Sequence, residues 1–151
     1  GAENGIRAID GNLLISRYNT FLNNYDAIFS YAQVNEKYYN IFRSNVTAIH
    51  INSYLSELNA YNNVFFDNQY GISNSYSNIT LYNNIFYLSG SGNVAINNQF
   101  DNLISDNNIF YPEQTGFIKI GEKTFSSLSN FTGSPLLLNN SISKEKKYSP
   151  S

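Results

Sequence analysis

YNNVFFDNQYGI, residues 61–72, decides how this chain folds, because it is one copy of a pattern that recurs along it. Its last eight residues read Phe65-x-x-Asn68-x-x-Gly71-Ile72. FLNNYDAI from Phe21 and FRSNVTAI from Phe42 follow the same template with Ala in place of Gly. A fourth copy, Phe86 to Ile96, carries three extra residues around Gly90-Ser91-Gly92. A fifth, FYPEQTGF from Phe110, keeps the length but has Glu113 and Phe117 where the others have Asn and Ile. Phe131 stands where a sixth copy would begin.

Successive Phe anchors are 21, 23, 21, 24 and 21 residues apart, and Ile28, Ile49, Ile72, Ile96 and Phe117 are 21, 23, 24 and 21 apart. Asn19, Asn40, Asn63, Asn84 and Asn108 each lie two residues before a Phe. Helical repeats are mostly longer, about 33 to 47 residues, and no leucine-rich framework is present. The segments are rich in Ile, Val, Tyr, Phe and Thr, which favour strand. Each period holds three short apolar stretches separated by polar bends; TAIHI, ELNAY and NVFF are those of the third. Three strands and three bends per period specify an all-β, single-stranded parallel β-helix of about six coils of 21–24 residues. Stacked at about 4.8 Å per coil, the coils make a rod on the order of 25–30 Å long.

The anchors then have physical roles. Ile or Phe at one register builds a column that neighbouring coils bury for each other. Asn at one bend of every coil is placed to bond the Asn above and below through its amide. The helix is expected over 1–138, with 121–135 a degenerate last coil and 139–151 a polar tail. Lys144, Lys146 and Lys147 read as a solvated part of that tail. The start, GIRAIDGNLLIS, reads as strand at once, so upstream coils or another chain are expected to cover the N-terminal end.

Composition narrows the functions. The 151 residues are 42% hydrophobic but only 13% charged, too apolar and aromatic for a disordered segment. A net charge of −2 offers no field to recruit nucleic acid. No apolar run approaches the roughly 18 residues of a membrane span. With no Cys there is no disulfide framework and no thiolate metal site.

The Phe-x-x-Asn-x-x-(Ala/Gly)-Ile pattern, with its Asn ladder, resembles the right-handed parallel β-helix repeats of the pectate-lyase-like superfamily. NNIFYPEQTGFIKIGEKTFSSLSNF, 107–131, is similar to the final coils of secreted polysaccharide-degrading members, where an Asn-x-Phe-Tyr strand precedes a short hairpin. The resemblance implies a secreted or cell-surface protein that holds carbohydrate along the outer face of the sheet around the (Ala/Gly)-Ile strands.

That face can be read residue by residue. If the Ile anchors point inward, the next residue points outward. The expected outward rows are Asp10, Phe29, His50, Ser73, Asn97 and Ile118, and, two residues on, Asn12, Tyr31, Asn52, Ser75, Gln99 and Ile120. Rings at Phe29 and Tyr31 suit a sugar's C–H face, and His50, Asn52, Asn97 and Gln99 offer donors and acceptors. These six are the candidate binding residues for a polysaccharide or oligosaccharide.

Catalytic residues are not assigned. His50 is the only His, and as a general base it needs an oriented partner, for which Asp67 in the next bend is the candidate. Asp10, Asp26, Asp67, Asp101 and Asp106 fall on different coils and bends, so no carboxylate pair is defined for glycoside hydrolysis. Arg7 and Arg43 have no carboxylate cluster beside them. Calcium wants about six to eight oxygens, several charged, and no such set is seen, so no cofactor or metal is expected. The expectation is a carbohydrate-binding segment, part of a polysaccharide lyase or glycoside hydrolase if catalytic. The alternative is an adhesin or tailspike-like structural rod.

Overall fold

The computed structural model describes residues 3–99, 102–112, 114–127 and 129–130. Turn 1 of the chain holds β1 (Asn4–Ala8), β2 (Leu13–Arg17) and β3 (Thr20–Leu22); turn 2 holds β4 (Asp26–Ser30), β5 (Val34–Tyr38) and β6 (Ile41–Arg43). Turn 3 holds β7 (Thr47–Ile51), β8 (Glu57–Tyr61) and β9 (Val64–Phe66); turn 4 holds β10 (Tyr70–Asn74), β11 (Asn78–Tyr82) and β12 (Ile85–Tyr87). Turn 5 holds β13 (Val94–Asn98), β14 (Leu103–Asp106) and β15 (Ile109–Tyr111), and β16 (Ile118–Ile120) and β17 (Lys123–Phe125) follow.

Corresponding strands of successive turns pair in parallel, giving a first sheet β1-β4-β7-β10-β13-β16-β17, a second β14-β11-β8-β5-β2 and a third β15-β12-β9-β6-β3. The chain is a parallel β-solenoid of five complete turns. In place of the sixth full turn expected from the repeat, β17 folds back antiparallel onto β16. Gly121, with φ of 55°, supplies the left-handed residue at that reversal. Phe131 and the tail 139–151 lie outside the described residues.

The Phe anchors form the interior of the third sheet. Neighbouring rings stack from Phe21 to Phe110 with centroids 4.4–5.1 Å apart. Phe117 closes the column edge-on against Phe110. The small residue before each Ile follows from this column. A methyl at Gly71 would meet the carbonyl oxygen of Ala95 at 2.6 Å and the Phe86 ring at 3.1 Å, so turn 4 takes Gly here, and Ala fits only where the backbone shifts to admit it. Inward Ile28, Ile49, Ile72, Ile96 and Ile118 are all fully buried on the first sheet.

The bends use a left-handed residue followed by Asn. Tyr18, Tyr39, Asn62, Asn83 and Asn107 take φ between 53° and 58° just before the expected ladder Asn, and Asn23, Ser44 and Asp67 do the same before Asn24, Asn45 and Asn68. Asn40 Nδ2 donates to Asn63 Oδ1 at 3.1 Å, Asn63 to Asn84 at 3.1 Å and Asn84 to Asn108 at 2.9 Å. Each acceptor oxygen also receives the backbone N–H of the Asn before it. The template Asn makes a second ladder at the next bend, Asn24 to Asn45 at 3.0 Å and Asn45 to Asn68 at 2.9 Å.

One left-handed residue has no such support. Leu55, φ 56°, is 68% exposed. A left-handed L-residue costs about 1–2 kcal/mol, less for Asn. Leu55→Asn is therefore expected to raise stability by about 1 kcal/mol in urea titration; a lower midpoint would contradict this account of the bend.

Candidate functional site

The outer face of the first sheet carries the residues singled out from the sequence, and the strand register orders them. Phe29, His50, Ser73 and Asn97 are successive register partners on β4, β7, β10 and β13. The middle of the first expected row is thus a continuous outward row. Its ends differ from expectation. Arg7, not Asp10, partners Phe29, and Lys119, not Ile118, partners Asn97. Asp10 lies in the bend after β1. Ile118 pairs with Ile96 and is fully buried. The repeat count slips by one here because Phe117 takes the position of Ala95 and completes the Phe column.

The second row runs Tyr31, Asn52, Ser75 and Gln99, each donating its backbone N–H to the preceding turn. Its ends are Ile9 and Gly121 rather than Asn12 and Ile120. The N–H of Tyr31 follows the carbonyl of Ala8, and Gly121 continues beyond Gln99. Ile120 is buried. Of the six candidates, Phe29, Tyr31, His50 and Asn52 form one contact group. Phe29 stands edge-on to Tyr31 at 5.2 Å and to His50 at 4.8 Å between centroids, and Asn52 Nδ2 donates to the Tyr31 hydroxyl at 3.4 Å. Asn97 and Gln99 sit two turns further along the same rows and do not touch this group.

Arg7 joins this face although its sequence context does not mark it as a binding residue. Its guanidinium lies over the Phe29 ring, 5.8 Å from the centroid, a cation–π placement that occupies part of that ring. The ring most open to a ligand is therefore Tyr31, which is exposed.

The partner of His50 also differs from expectation. Asp67 is committed elsewhere, accepting the backbone N–H of Ser89 at 3.0 Å and the Ser89 hydroxyl. Asp26 takes its place. His50 Nδ1 lies 3.2 Å from Asp26 Oδ2, with the acid's side chain 8% exposed and the imidazole 30% exposed. Asp26 Oδ1 is buried with no hydrogen-bond partner among the described residues. Asp26 sits three residues before Phe29, which is His50's register partner one turn back, so the pair is diagonal across adjacent turns. A count of one repeat back from His50 reaches this neighbourhood, whereas a forward count does not.

Among the described residues no group of three or more His, Cys, Asp or Glu could hold a metal ion. No helix of the described residues is long and apolar enough to cross a membrane. No family model, curated protein or solved structure matches the chain, so the face is read from its own geometry.

Proposed function

We propose that the chain is a carbohydrate-active segment of a secreted or cell-surface β-helix protein of pectate-lyase-like type, coiled right-handed as parallel crossovers are. It holds an extended polysaccharide along the outer face of the first sheet. The observation that carries this reading is the pair of aligned rows, in which rings at Phe29 and Tyr31 give way to His50, Asn52, Asn97 and Gln99 over four turns. At about 4.8 Å per turn the rows run about 14 Å, a length suited to an extended chain rather than a single small molecule. Rings at one end followed by amides and hydroxyls are what an uncharged sugar chain presents partners for.

A glycan array probed with the full chain tests the reading. Tyr31→Ala and Gln99→Ala, at opposite ends of the second row, are each expected to weaken binding by at least about tenfold, roughly 1.4 kcal/mol. No bound glycan, or binding untouched by both substitutions, would sink it.

A second reading, a structural rod, is favoured by the outer face of the third sheet. Leu22, Ile41, Ile85, Ile109 and Tyr111 are all exposed there, an apolar surface interrupted by exposed Arg43. Copies of this chain packing on that surface would give a defined oligomer in sedimentation equilibrium that Ile85→Lys with Ile109→Lys dissolves. A monomer at all concentrations removes this reading.

A further inference from the structure

We propose that Asp26, His50, Ser73 and Asn97 form a serine-hydrolase site that cleaves short acyl esters, such as acetyl groups, from the hydroxyls of a bound sugar chain. The substrate rests on the glycan reading above; the chemistry does not. The four residues come one per turn from turns 2, 3, 4 and 5, on β4, β7, β10 and β13, and supply in order a carboxylate, an imidazole, a hydroxyl and a carboxamide.

Their geometry fits those roles. Asp26 is buried, and His50 Nδ1 is its hydrogen-bonding partner at 3.2 Å. Its equivalents in the same register are Thr47, Tyr70 and Val94, so the fold does not require an acid at this place. What a carboxylate adds is an acceptor that holds the proton on Nδ1 and leaves the lone pair on Nε2, the arrangement a general base needs. The two nitrogens of an imidazole point away from each other. A ring that turns Nδ1 toward turn 2 therefore turns Nε2 away from it, toward the side on which Ser73 of turn 4 stands. The Phe29 ring, at 88° to the imidazole and 4.8 Å from it, fixes the ring plane.

Ser73 is the direct register partner of His50, about 4.8 Å away between backbones. Its hydroxyl makes no hydrogen bond among the described residues and so is uncommitted; the contact with Nε2 that proton transfer needs is of a kind that often forms only with substrate bound. Asn97 is the next partner in the row, and its amide is likewise uncommitted among the described residues. Its N–H groups are placed to receive the charge that develops on an ester carbonyl oxygen above Ser73.

The step balances without a further reagent except water. Nε2 takes the Ser73 proton as Oγ bonds to the carbonyl carbon, and the π electrons move to the oxygen beside Asn97. Collapse of that intermediate breaks the ester C–O bond, and the departing sugar oxygen takes the proton from Nε2. Water then repeats the sequence on the acyl-Ser73 ester, releasing the carboxylic acid and restoring the serine.

The test is labelling of the full chain by a fluorophosphonate probe, with peptide mapping, alongside hydrolysis of 4-methylumbelliferyl acetate. One adduct at Ser73 is expected, absent from Ser73→Ala. Asn97→Ala is expected to slow turnover about a hundredfold. Asp26→Asn, a positioning residue, is expected to lower kcat by at least that factor with KM unchanged and the far-ultraviolet circular dichroism retained. Free imidazole should restore labelling to His50→Ala. Wild-type chain that leaves Ser73 unlabelled, or Ser73→Ala that hydrolyses the ester at the wild-type rate, overturns the proposal. Glycan binding by Ser73→Ala without wild-type labelling would leave the sugar face standing and remove only the hydrolase; labelling without any array binding would do the reverse.

Discussion

Asn63→Leu is expected to lower the stability of the solenoid by on the order of 4 kcal/mol, a large share of the roughly 5–15 kcal/mol that a domain holds. Asn63 is fully buried and makes the bonds of two turns at once. Its Oδ1 receives both the backbone N–H and the Nδ2 of Asn40, at 2.9 and 3.1 Å, and its own Nδ2 donates to the carbonyls of Lys37 and Tyr61 and to Asn84 Oδ1. Leucine is close in volume but strands two buried donors of Asn40 and the Lys37 carbonyl. Each orphaned group costs about 1–3 kcal/mol. Asn59→Leu, an outward site on β8, is the control and should change stability by less than about 0.5 kcal/mol. Equal losses for the two in urea titration would show that the amide row is not what holds the bends.

Lys37→Met is expected to do the opposite and stabilise the fold at neutral pH by about 2–4 kcal/mol. Lys37 points into the core on β5 and is wholly buried, with Nζ donating to the Leu14 carbonyl at 2.8 Å. Burial draws its pKa down from 10.5 to about 7, partly offset by the charge of Glu36. The unfolded chain therefore binds one more proton than the folded one between about pH 7 and 10.5, and stability rises with pH across that window. The penalty is complete below about pH 7 and gone above about pH 10.5. At about 1.36 kcal/mol per pKa unit it amounts to roughly 4 kcal/mol near pH 7, and the lost Leu14 bond takes back part of what Met gains. Melting curves from about pH 6 to 9.5 check this. A wild-type midpoint that stays flat or falls, or a Met variant that is less stable at neutral pH, would show that the ammonium is accommodated by other means. Above about pH 10 the trend should reverse, because partial burial and the neighbouring charge of Glu36 raise the pKa values of Tyr38 and Tyr61, and the unfolded chain releases those protons first.

These two sites mark where the sequence is easy and hard to read. Asn63 is legible because it recurs: a residue repeated at one register in five periods announces a contact between turns from its spacing alone. The Phe column, the buried Ile row and the middle of both outward rows follow by the same arithmetic. Lys37 does not recur. Its register row is Ser16, Lys37, Ala60, Leu81 and Ser105, and a Lys beside Glu36 in VNEKY has the look of a solvent-facing residue. Only the inward parity it shares with Ala60 and Leu81 betrays it. The ends of the rows are hidden for a related reason. Phe117 keeps the template's length but fills the Ala position, so a count from Phe110 arrives one residue early, and the outward residue becomes Lys119. Asp26 is hidden because its contact with His50 is diagonal, and a repeat count along one row cannot show a diagonal neighbour.

The amide rows also give the rod an electrical direction. In every described link, Asn19 to Asn40, Asn40 to Asn63, Asn63 to Asn84, Asn84 to Asn108, Asn24 to Asn45 and Asn45 to Asn68, the nitrogen belongs to the earlier turn and the oxygen to the later one. The side-chain dipoles thus lie head to tail along the axis in both columns, as peptide dipoles do along an α-helix, and each bond polarises the next. Their oxygens face turn 1 and their N–H groups face turn 5. The two ends of the solenoid are consequently unlike in sign, with anions favoured near the last turn and cations near the first.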